Sequence, residues 1–358
     1  MSSNVKPTGG PETPDIEGHG QTVSVTIVNH TARDLLRECL ASLDAHPYTG
    51  GGMEIIVVDN ASEDGSAEML RTEYPSVVLL AETRRRGYGA NQNLAIAASH
   101  GDLVLMLNPD AVVHAGTIDR LVASMAWAPR VAAAGGPMAN DDSTIRQDRP
   151  HRFPTPWSPL ARAFGLHRLR SSPPEGSAVT ADGWPSGAAC LVRRNVLEEL
   201  GGFDESFFMY SEDTDLFARM VQRGYMVAWV DDALVSHPLP VEAAESSSRR
   251  EAEKVTSELR YIRKHFGRWG AAVYRLGIAA DASARVVLLS VPGLGRLVQR
   301  HGRATATIRR THLHRLRHAL SGAGDPGLAE LAEDWNRRHG PISPAPGDDR
   351  RPGTLPES

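Results

Sequence analysis

Three carboxylates stand close together in the sequence, directly after an aromatic segment. Glu212, Asp213 and Asp215 follow Phe207-Phe-Met-Tyr210 and begin a segment with helical periodicity. At the start of a helix they lie near free backbone N–H groups, which stabilise a negative charge. Capping accounts for one acid at such a position, but three acids after so apolar a loop indicate a pocket. One of them can serve as a general base that takes a proton from an acceptor hydroxyl.

Polar residues also follow two of the predicted strands. Asp59 ends one strand, and the loop at residues 60–66 leads into a helix whose N-terminus can receive an anion. Asn108-Pro109-Asp110 follows a very apolar strand, and its oxygens suit Mg²⁺ or Mn²⁺ beside the phosphates of a substrate. Two simpler interpretations stay open: helix capping for the first segment and a plain turn for the second.

The elements that position these residues are strands and helices in alternation. From residue 21 onward, apolar segments rich in β-branched residues alternate with segments of helical periodicity. This order predicts a mostly parallel sheet with helices on both faces, in which ligands bind at the carboxyl ends of the strands. Residues 140–181 are predicted to form a long loop, with one short helix near residues 160–169, of the kind that can cover a site. His237 follows the last strand, where a single histidine is more often structural than a ligand.

Missing motifs exclude several classes of protein. The loop after the first strand contains no glycine, so the dinucleotide-binding fingerprint is absent, and no P-loop or GxSxG segment occurs. Two cysteines, Cys39 and Cys190, exclude a disulfide scaffold and a thiolate zinc site and indicate a reducing compartment. We expect a cytoplasmic protein, because the sequence has no signal segment and no apolar run long enough to cross a bilayer.

Charge is unevenly distributed along the chain. The formal net charge is −4, yet residues 260–320 contain thirteen Lys or Arg and one Asp, a charge of +12, so the other residues sum to −16. Such a basic arm can meet a phosphate-rich partner, either nucleic acid or anionic lipid, or it can be a solvated helical face. The predicted divisions are a disordered leader at 1–20, a catalytic domain at 21–240, a basic helical extension at 241–320 and a Pro/Gly-rich tail at 321–358.

Taken in order, these segments resemble glycosyltransferase family 2, the inverting sugar transferases. The resemblance covers about residues 23–266. It implies the GT-A (nucleotide-diphospho-sugar transferase) α/β fold, with a mostly parallel sheet flanked by helices, followed here by the basic helical extension. The matching stretches are residues 25–29, 57–66, 86–93, 107–110, 187–193 and 201–215.

Within the family the sequence is most similar to the rhamnosyltransferase branch, in which Asn-Pro-Asp replaces the usual Asp-x-Asp. The resemblance implies a role for each residue of a candidate site. It implies that Asn29 and Asp59 would contact the nucleotide base and ribose, and that Gly87 and Asn93 would shape the nucleotide pocket, with Asn108 beside the donor. It implies that Asp110 and His237 would hold Mg²⁺ or Mn²⁺ on the donor diphosphate. It also implies that Asp213 would be the base, with Glu212 beside it.

The sequence departs from the family pattern at two places. Arg85-Arg86-Gly87 stands where the family has Asn-x-Gly, and Pro238 follows His237 where the family has glycine. The first departure bears on donor contacts. The second weakens the expectation that His237 is a metal ligand.

The resemblance implies transfer of a sugar from a nucleotide-diphosphate donor to a hydroxyl of a glycan or of a polyprenyl-diphosphate-linked saccharide, in the synthesis of cell-surface polysaccharide. dTDP-rhamnose is the expected donor and a UDP-sugar the second choice. An anionic membrane surface, on the inner face of the cytoplasmic membrane, is a possible partner. Two alternatives are a non-catalytic relative that binds sugar nucleotides and a nucleic-acid-binding protein. Nucleic acid is not expected, because the basic arm lacks the interleaved aromatic residues of single-strand binders.

Overall fold

An eight-stranded sheet is the central feature of the computed structural model, which describes residues 20–140, 145–147, 149–166, 176–237, 244–290, 305–321 and 327–340. The strands are β1 (Val23–Asn29), β2 (Met53–Asn60), β3 (Val78–Glu82), β4 (Leu103–Leu107), β5 (Val112–Val113), β6 (Val131–Gly135), β7 (Met138–Ala139), β8 (Ile145–Gln147), β9 (His151–Arg152), β10 (Ala178–Thr180), β11 (Gly183–Trp184), β12 (Ala189–Arg193), β13 (Met226–Trp229) and β14 (Val235–Ser236). The helices are α1 (Arg33–Ala45), α2 (Ser66–Glu73), α3 (Tyr88–Ala98), α4 (Thr117–Ser124), α5 (Ser158–Ala163), α6 (Arg194–Leu200), α7 (Glu212–Gln222), α8 (Ala244–Ser290), α9 (Thr305–Ser321) and α10 (Leu328–His339).

The main sheet has the strand order β10-β13-β6-β12-β4-β1-β2-β3. Strands β3, β2, β1 and β4 are parallel to one another, and β6 is parallel to β13. Strand β12 lies antiparallel between β4 and β6, and β10 is antiparallel to β13. Parallel pairings are in the majority, as expected, and the insertion of β12 makes the sheet mixed.

Strand β4 shows how the sheet separates two apolar cores. All five of its residues are buried. Leu103, Leu105 and Leu107 pack in the core that contains α1 and α4, whereas Val104 and Met106 pack in the core that contains α6 and α7. A strand covered on both faces has no polar face, which explains its uninterrupted apolar sequence.

A smaller sheet brings the chain back to the end of β4. Its order is β5-β14-β7-β8. Val235 in β14 pairs with Val113 in β5, which follows the turn after β4. This pairing carries His237, the residue after β14, toward that turn.

The C-terminal extension is helical, as the sequence predicted. Helix α8 is broken at Gly267, where φ is +71°. On both sides of the break α8 contributes to one buried cluster, and Arg315 of α9, which is half-buried, forms ion pairs with Glu251 (3.6 Å) and Glu258 (3.4 Å). Part of the basic arm is therefore packed structure. The buried residues of the cluster are Phe207, Ala218, Val255, Tyr261, Ile262, Tyr274, Ile278 and Ala319.

The predicted Pro/Gly-rich tail contains a helix that composition did not indicate. Helix α10 lies within residues 321–358, and its buried side chains are Ala332 and Trp335. The leader at residues 1–19 lies outside the described part of the chain. None of the described helices is both long enough and apolar enough to cross a membrane.

Candidate active site

The carboxyl ends of β1 and β2 bring Asn29 and Asp59 side by side. The two residues are register partners, and Nδ2 of Asn29 donates to Oδ1 of Asp59 at 2.8 Å. Both are buried. Among the described residues, Oδ1 of Asn29 has no hydrogen-bond partner, so a buried acceptor is left for a ligand.

The loops that follow these two strands are held in strained conformations. Thr31 and Ala61 both have φ of +52°, a region that residues other than glycine rarely occupy. Ser62 joins the loops, because its Oγ accepts from the Thr31 N–H (2.9 Å) and from Nδ2 of Asn29 (3.2 Å). Strain of this kind persists where the surrounding structure fixes it, and it is common at ligand sites.

Gly87 allows two segments of the site to touch. A Cβ at this position would lie 2.6 Å from the carbonyl oxygen of Phe208, and the Tyr88 N–H donates to that same oxygen at 2.8 Å. The side chain of Asn60 fixes the preceding residue, since its Oδ1 accepts from the Arg86 N–H and its Nδ2 donates to the Arg86 carbonyl. Position 87 therefore requires glycine, and the reason is close backbone packing.

Asn93 is directed at the loop before α7. Its Oδ1 accepts from the Phe203 N–H (2.8 Å), and its Nδ2 donates to the Phe203 carbonyl and to Glu205. Gly202 is required beside it, because a Cβ there would come within 2.4 Å of Oδ1 of Asn93. In the structure this side chain positions the loop, and a contribution to the nucleotide pocket stays a prediction.

Three predicted site residues converge after β4. Nε2 of His237 lies 3.1 Å from Oδ1 of Asp110 and 3.2 Å from Nδ2 of Asn108. The side chains of His237 and Asp110 are 13% and 23% exposed, so the pair is reachable from solvent. Among the described residues no group of three His, Cys, Asp or Glu side chains could hold a metal ion. One imidazole and one carboxylate suit a divalent cation only if a substrate supplies further oxygens.

The segment at residues 187–188 connects this pair to the acidic helix. The Asn108 N–H donates to the Ala188 carbonyl at 2.8 Å. A Cβ at Gly187 would lie 2.8 Å from Oδ2 of Asp213, and Tyr88 Oη donates to the Gly187 carbonyl at 3.4 Å. In the sequence, this stretch is marked only by the resemblance at residues 187–193, which implies no role for it. The contact with Asp213 depends on a fold that brings β12 beside β4.

Asp213 lies in the first turn of α7, at a strained entrance. Tyr210 and Ser211 have φ of +68° and +62°, and α7 begins at the next residue. Oδ1 of Asp213 accepts from the Thr214 N–H at 2.6 Å and from Thr214 Oγ1 at 3.2 Å. No donor among the described residues approaches Oδ2 within hydrogen-bond distance, which leaves that oxygen for a proton from a substrate.

Glu212 differs from its neighbour, because it is buried. Burial, the adjacent Asp213 and the nearby Glu253 raise the pKa of Glu212 to about 8. Its Oε2 has no partner among the described residues. Two adjacent carboxylates thus have different environments, and a buried acid with so high a pKa is mostly protonated at neutral pH.

Asp215 is a structural ion-pair centre. It is fully buried and accepts from Nε of Arg219 (2.8 Å), Nζ of Lys264 and Nε2 of His265 (both 2.9 Å). Burial opposes ionisation, but the bonds from His265 and Lys264 and the charge of Arg219 hold the pKa of Asp215 below its ordinary value. This carboxylate joins α7 to α8. The sequence could not indicate that role, since two of its partners are about fifty residues away.

Known proteins are similar to this chain in sequence. The glycosyl transferase family 2 model matches residues 24–201. The N-acetylglucosaminyl-diphospho-decaprenol L-rhamnosyltransferase of Mycobacterium tuberculosis is 30% identical over 277 residues, which cover 69% of this chain and 86% of that protein. The O-antigen chain rhamnosyltransferase WbaN of Salmonella anatum is 27% identical over 188 residues, covering 51% and 56%.

A solved structure shares the fold. The mannosyltransferase PcManGT from Pyrobaculum calidifontis, in complex with GDP-Man and Mn²⁺, superposes with a TM-score of 0.56 at 20% identity, covering 88% of this chain and 91% of that one. This likeness shows the GT-A-like fold that the sequence resemblance implied. The relative in M. tuberculosis, together with the family match, shows that the chain belongs to glycosyl transferase family 2. Within that family the chain is similar to rhamnosyltransferases.

Proposed function

We propose that the chain transfers a sugar from a nucleotide-diphosphate donor to an acceptor hydroxyl with inversion at the anomeric carbon. One observation carries the proposal. The Asp110–His237 pair and the carboxylate of Asp213 lie at opposite ends of one short segment, residues 187–188, at the carboxyl edge of the sheet. A cation site and a base so connected suit a reaction in which a diphosphate leaves and a hydroxyl attacks.

The donor nucleotide is assigned to the ends of β1 and β2. Asn29 offers a buried acceptor without a partner, and Asp59 lies beside it with one oxygen bonded to the Ser62 N–H at 3.2 Å. These groups suit the N–H and hydroxyl donors of a nucleoside. Gly87 keeps the loop of residues 85–87 against the loop before α7, so the nucleoside and acceptor sides of the cleft share a wall.

Asp110 and His237 are the residues that would hold Mg²⁺ or Mn²⁺ on the donor diphosphate. When bound, such an ion neutralises negative charge that develops on the leaving diphosphate, an effect worth several kcal/mol. The donor set of this chain fits the role, because two ligands leave most coordination positions for phosphate oxygens and water. The Asn108 amide lies 3.2 Å from Nε2 of His237, the nitrogen that faces Asp110.

Asp213 is proposed as the general base. Its carboxylate accepts the proton of the acceptor hydroxyl, and the acceptor oxygen forms a bond to the anomeric carbon. The bond from that carbon to the diphosphate oxygen breaks at the same time, and the nucleoside diphosphate leaves with the electron pair. Attack opposite the leaving group inverts the configuration. Glu212, mostly neutral at pH 7, keeps a second negative charge away from the base.

The donor and acceptor classes follow from the relatives. Two relatives are rhamnosyltransferases, one of which is named for an N-acetylglucosaminyl-diphospho-decaprenol acceptor. We therefore propose dTDP-rhamnose as donor, a UDP-sugar as second choice, and a polyprenyl-diphosphate-linked saccharide as acceptor, in polysaccharide synthesis. The test measures hydrolysis and transfer with a panel of dTDP-, UDP- and GDP-sugars in Mn²⁺ and in Mg²⁺. If no nucleotide sugar is turned over, the chain is a sugar-nucleotide-binding protein without catalytic activity.

A lipid-linked acceptor lies in a membrane, so the enzyme would have to bind at the membrane surface. Exposed apolar side chains are suited to such binding. Trp157 beside α5 is 63% exposed, and Trp269 and Leu276 of α8 are 86% and 67% exposed. A Cβ at Gly270 would lie 3.3 Å from Pro156, and one at Gly277 would lie 3.1 Å from Leu160, so this part of α8 packs beside α5. We define Trp157, Trp269 and Leu276 as the α5–α8 patch.

Charge supports an anionic bilayer as the occupant of the α5–α8 patch. Arg268 and Arg275 precede Trp269 and Leu276, and both arginines are exposed. Each basic side chain near an anionic bilayer contributes about 1 kcal/mol, and amphipathic tryptophan suits the interface. We therefore propose peripheral binding at the inner face of the cytoplasmic membrane.

Co-sedimentation of the full chain with anionic liposomes tests the membrane proposal. We expect pelleting at low salt, release at high salt, and loss of pelleting in a Trp157→Ala, Trp269→Ala double variant. Trp127→Ala is the matched control, since Trp127 is 39% exposed near the C-terminal end of α4. If wild type stays in the supernatant at low salt, the arm is structural and the membrane proposal is wrong.

A further inference from the structure

Helix α10 reaches back to the donor side of the cleft through Asn336. Oδ1 of Asn336 accepts from the Arg85 N–H at 2.8 Å, and Nδ2 donates to the Arg85 carbonyl at 2.9 Å. Both polar groups of one side chain thus bond the backbone of one residue 251 positions away. Such a paired contact fixes the position and the direction of the backbone that it holds.

Trp335 adds a second contact to the same residue. The Arg85 guanidinium carbon lies 4.2 Å from the centroid of the Trp335 ring. The His339 ring stacks on the same indole, with 4.4 Å between the ring centroids. Nη2 of Arg85 also bonds Glu63 at 2.9 Å. Trp335 is only 7% exposed. A cation over an indole ring is attracted to the ring face, so Arg85 is held through both its backbone and its side chain.

The other end of α10 is anchored near the acidic helix. The Ala329 N–H donates to Oε2 of Glu253 at 3.2 Å. Glu253 is buried, and its charge contributes to the raised pKa of Glu212. Helix α10 therefore runs from the surroundings of Glu212 to the loop at Arg85, along one side of the proposed cleft.

Arg85 begins the segment in which this chain departs from its family. Arg85-Arg86-Gly87 stands where the family pattern has Asn-x-Gly. The Arg86 backbone is bonded to Asn60, next to Asp59, and Gly87 packs against Phe208. Whatever fixes Arg85 therefore also fixes the wall between the proposed nucleoside site and the loop before α7.

We propose that α10 positions the donor loop, residues 85–87, and that Asn336 and Trp335 are positioning residues that act on the nucleotide through Arg85. The inference rests on the proposed function, because it takes Asn29, Asp59 and this loop as the site of the nucleoside diphosphate. Removing these contacts loosens the loop before the donor binds. Donor affinity then falls, whereas the chemical step at Asp213 is unchanged once donor is bound.

Asn336→Ala and Trp335→Ala in the full chain test the inference, with titration of dTDP and UDP and with steady-state kinetics of transfer. We expect each variant to raise Kd for the nucleotide and KM for the donor about tenfold. We expect kcat and the acceptor KM to stay within twofold of wild type. Glu333→Ala is the control, because its side chain lies on the same helix and is 72% exposed.

A conservative variant separates positioning from folding. Trp335→Phe should retain part of the cation–aromatic contact with Arg85, so it should raise Kd less than Trp335→Ala. Unchanged Kd in folded Asn336→Ala overturns the inference, as does a fall in kcat with an unchanged donor KM. A wild type that binds no dTDP, UDP or GDP instead contradicts the proposed function itself.

Discussion

Gly187 lies directly against the carboxylate of Asp213, so closely that a Cβ at position 187 would come within 2.8 Å of Oδ2 and 3.2 Å of Cβ of the aspartate. The glycine therefore determines where the proposed base can be. Gly187→Ala should displace the carboxylate and reduce kcat by about 10²-fold, the cost of a misplacement of about 1 Å. Steady-state kinetics with saturating donor measure the effect. Gly52→Ala is the control, because a Cβ there makes ordinary contact with Thr22 at 3.5 Å.

The base itself is tested by Asp213→Asn. The amide keeps the shape and cannot take a proton, so kcat should fall by about 10²–10⁴-fold while nucleotide affinity stays nearly unchanged. Kinetics and nucleotide titration on the same preparation provide both values. Asp182→Asn, an exposed aspartate in the turn before β11, should behave as wild type. If the kcat of Asp213→Asn is close to that of wild type, Asp213 is not the general base.

The cation pair is tested by Asp110→Ala and His237→Ala. Each should weaken Mn²⁺-dependent donor binding about 10–100-fold, the range seen even for residues that only orient metal ligands. Nucleotide binding in EDTA should be unchanged, because these side chains act through the ion. Titration with and without Mn²⁺ measures the difference, and Asp44→Ala is an exposed control. Full activity of wild type in EDTA contradicts the prediction.

Glu212 predicts a pH dependence of stability. The folded pKa of about 8 lies above the ordinary value of 4.5, so the folded state binds the proton more tightly than the unfolded state. The stabilisation is complete below about pH 4.5 and is lost as the pH rises toward 8. Glu212→Gln should remove this slope, so that its urea midpoint exceeds that of wild type most clearly at pH 8. Parallel slopes for the two proteins between pH 5 and 8 would show that Glu212 does not titrate in this range.

Asp215 predicts a large loss of stability. Asp215→Ala leaves Arg219, Lys264 and His265 around a vacated buried position, and breaking a buried ion pair in this way costs about 3–5 kcal/mol. Urea unfolding measures the change. Glu73→Ala breaks an exposed pair with Arg37 and should lower the stability much less than Asp215→Ala does. Equal effects of the two changes would mean that the pairs around Asp215 do not stabilise the fold.

The local sequence pattern predicts the part of the sheet that contains β1 and β2. Asn29 and Asp59 were expected at strand ends because β1 and β2 are short apolar runs that stop at polar residues, and parallel strands share an edge. The pair Asp110 and His237 is 127 residues apart in the chain, and no periodicity relates the two. Only the resemblance to the family placed them together, and the pairing of β14 with β5 is the physical reason that they meet.

Contacts that depend on tertiary packing could not be predicted from the sequence. The partners of Asp215 on α8 and the contact of Gly187 with Asp213 require the finished fold. Helix α10 was not predicted, because the Pro and Gly residues around it give the segment the composition of a loop. Its apolar residues nevertheless recur at helical spacing, at Leu328, Leu331, Ala332 and Trp335. A composition average over residues 321–358 conceals a pattern only twelve residues long.

The antiparallel insertion of β12 also sets an order of assembly. Strands β1 to β4 pair among themselves, so the half of the sheet that carries Asn29 and Asp59 is complete once residue 107 has been synthesised. Strand β6 has no direct partner in that half, and the sheet becomes continuous only when β12 arrives between β4 and β6. During synthesis on the ribosome, the nucleoside side of the cleft can therefore form early. The proposed base and the proposed cation pair, which depend on residues 187–237, are assembled later, and the contacts of α10 with the loop at Arg85 come last.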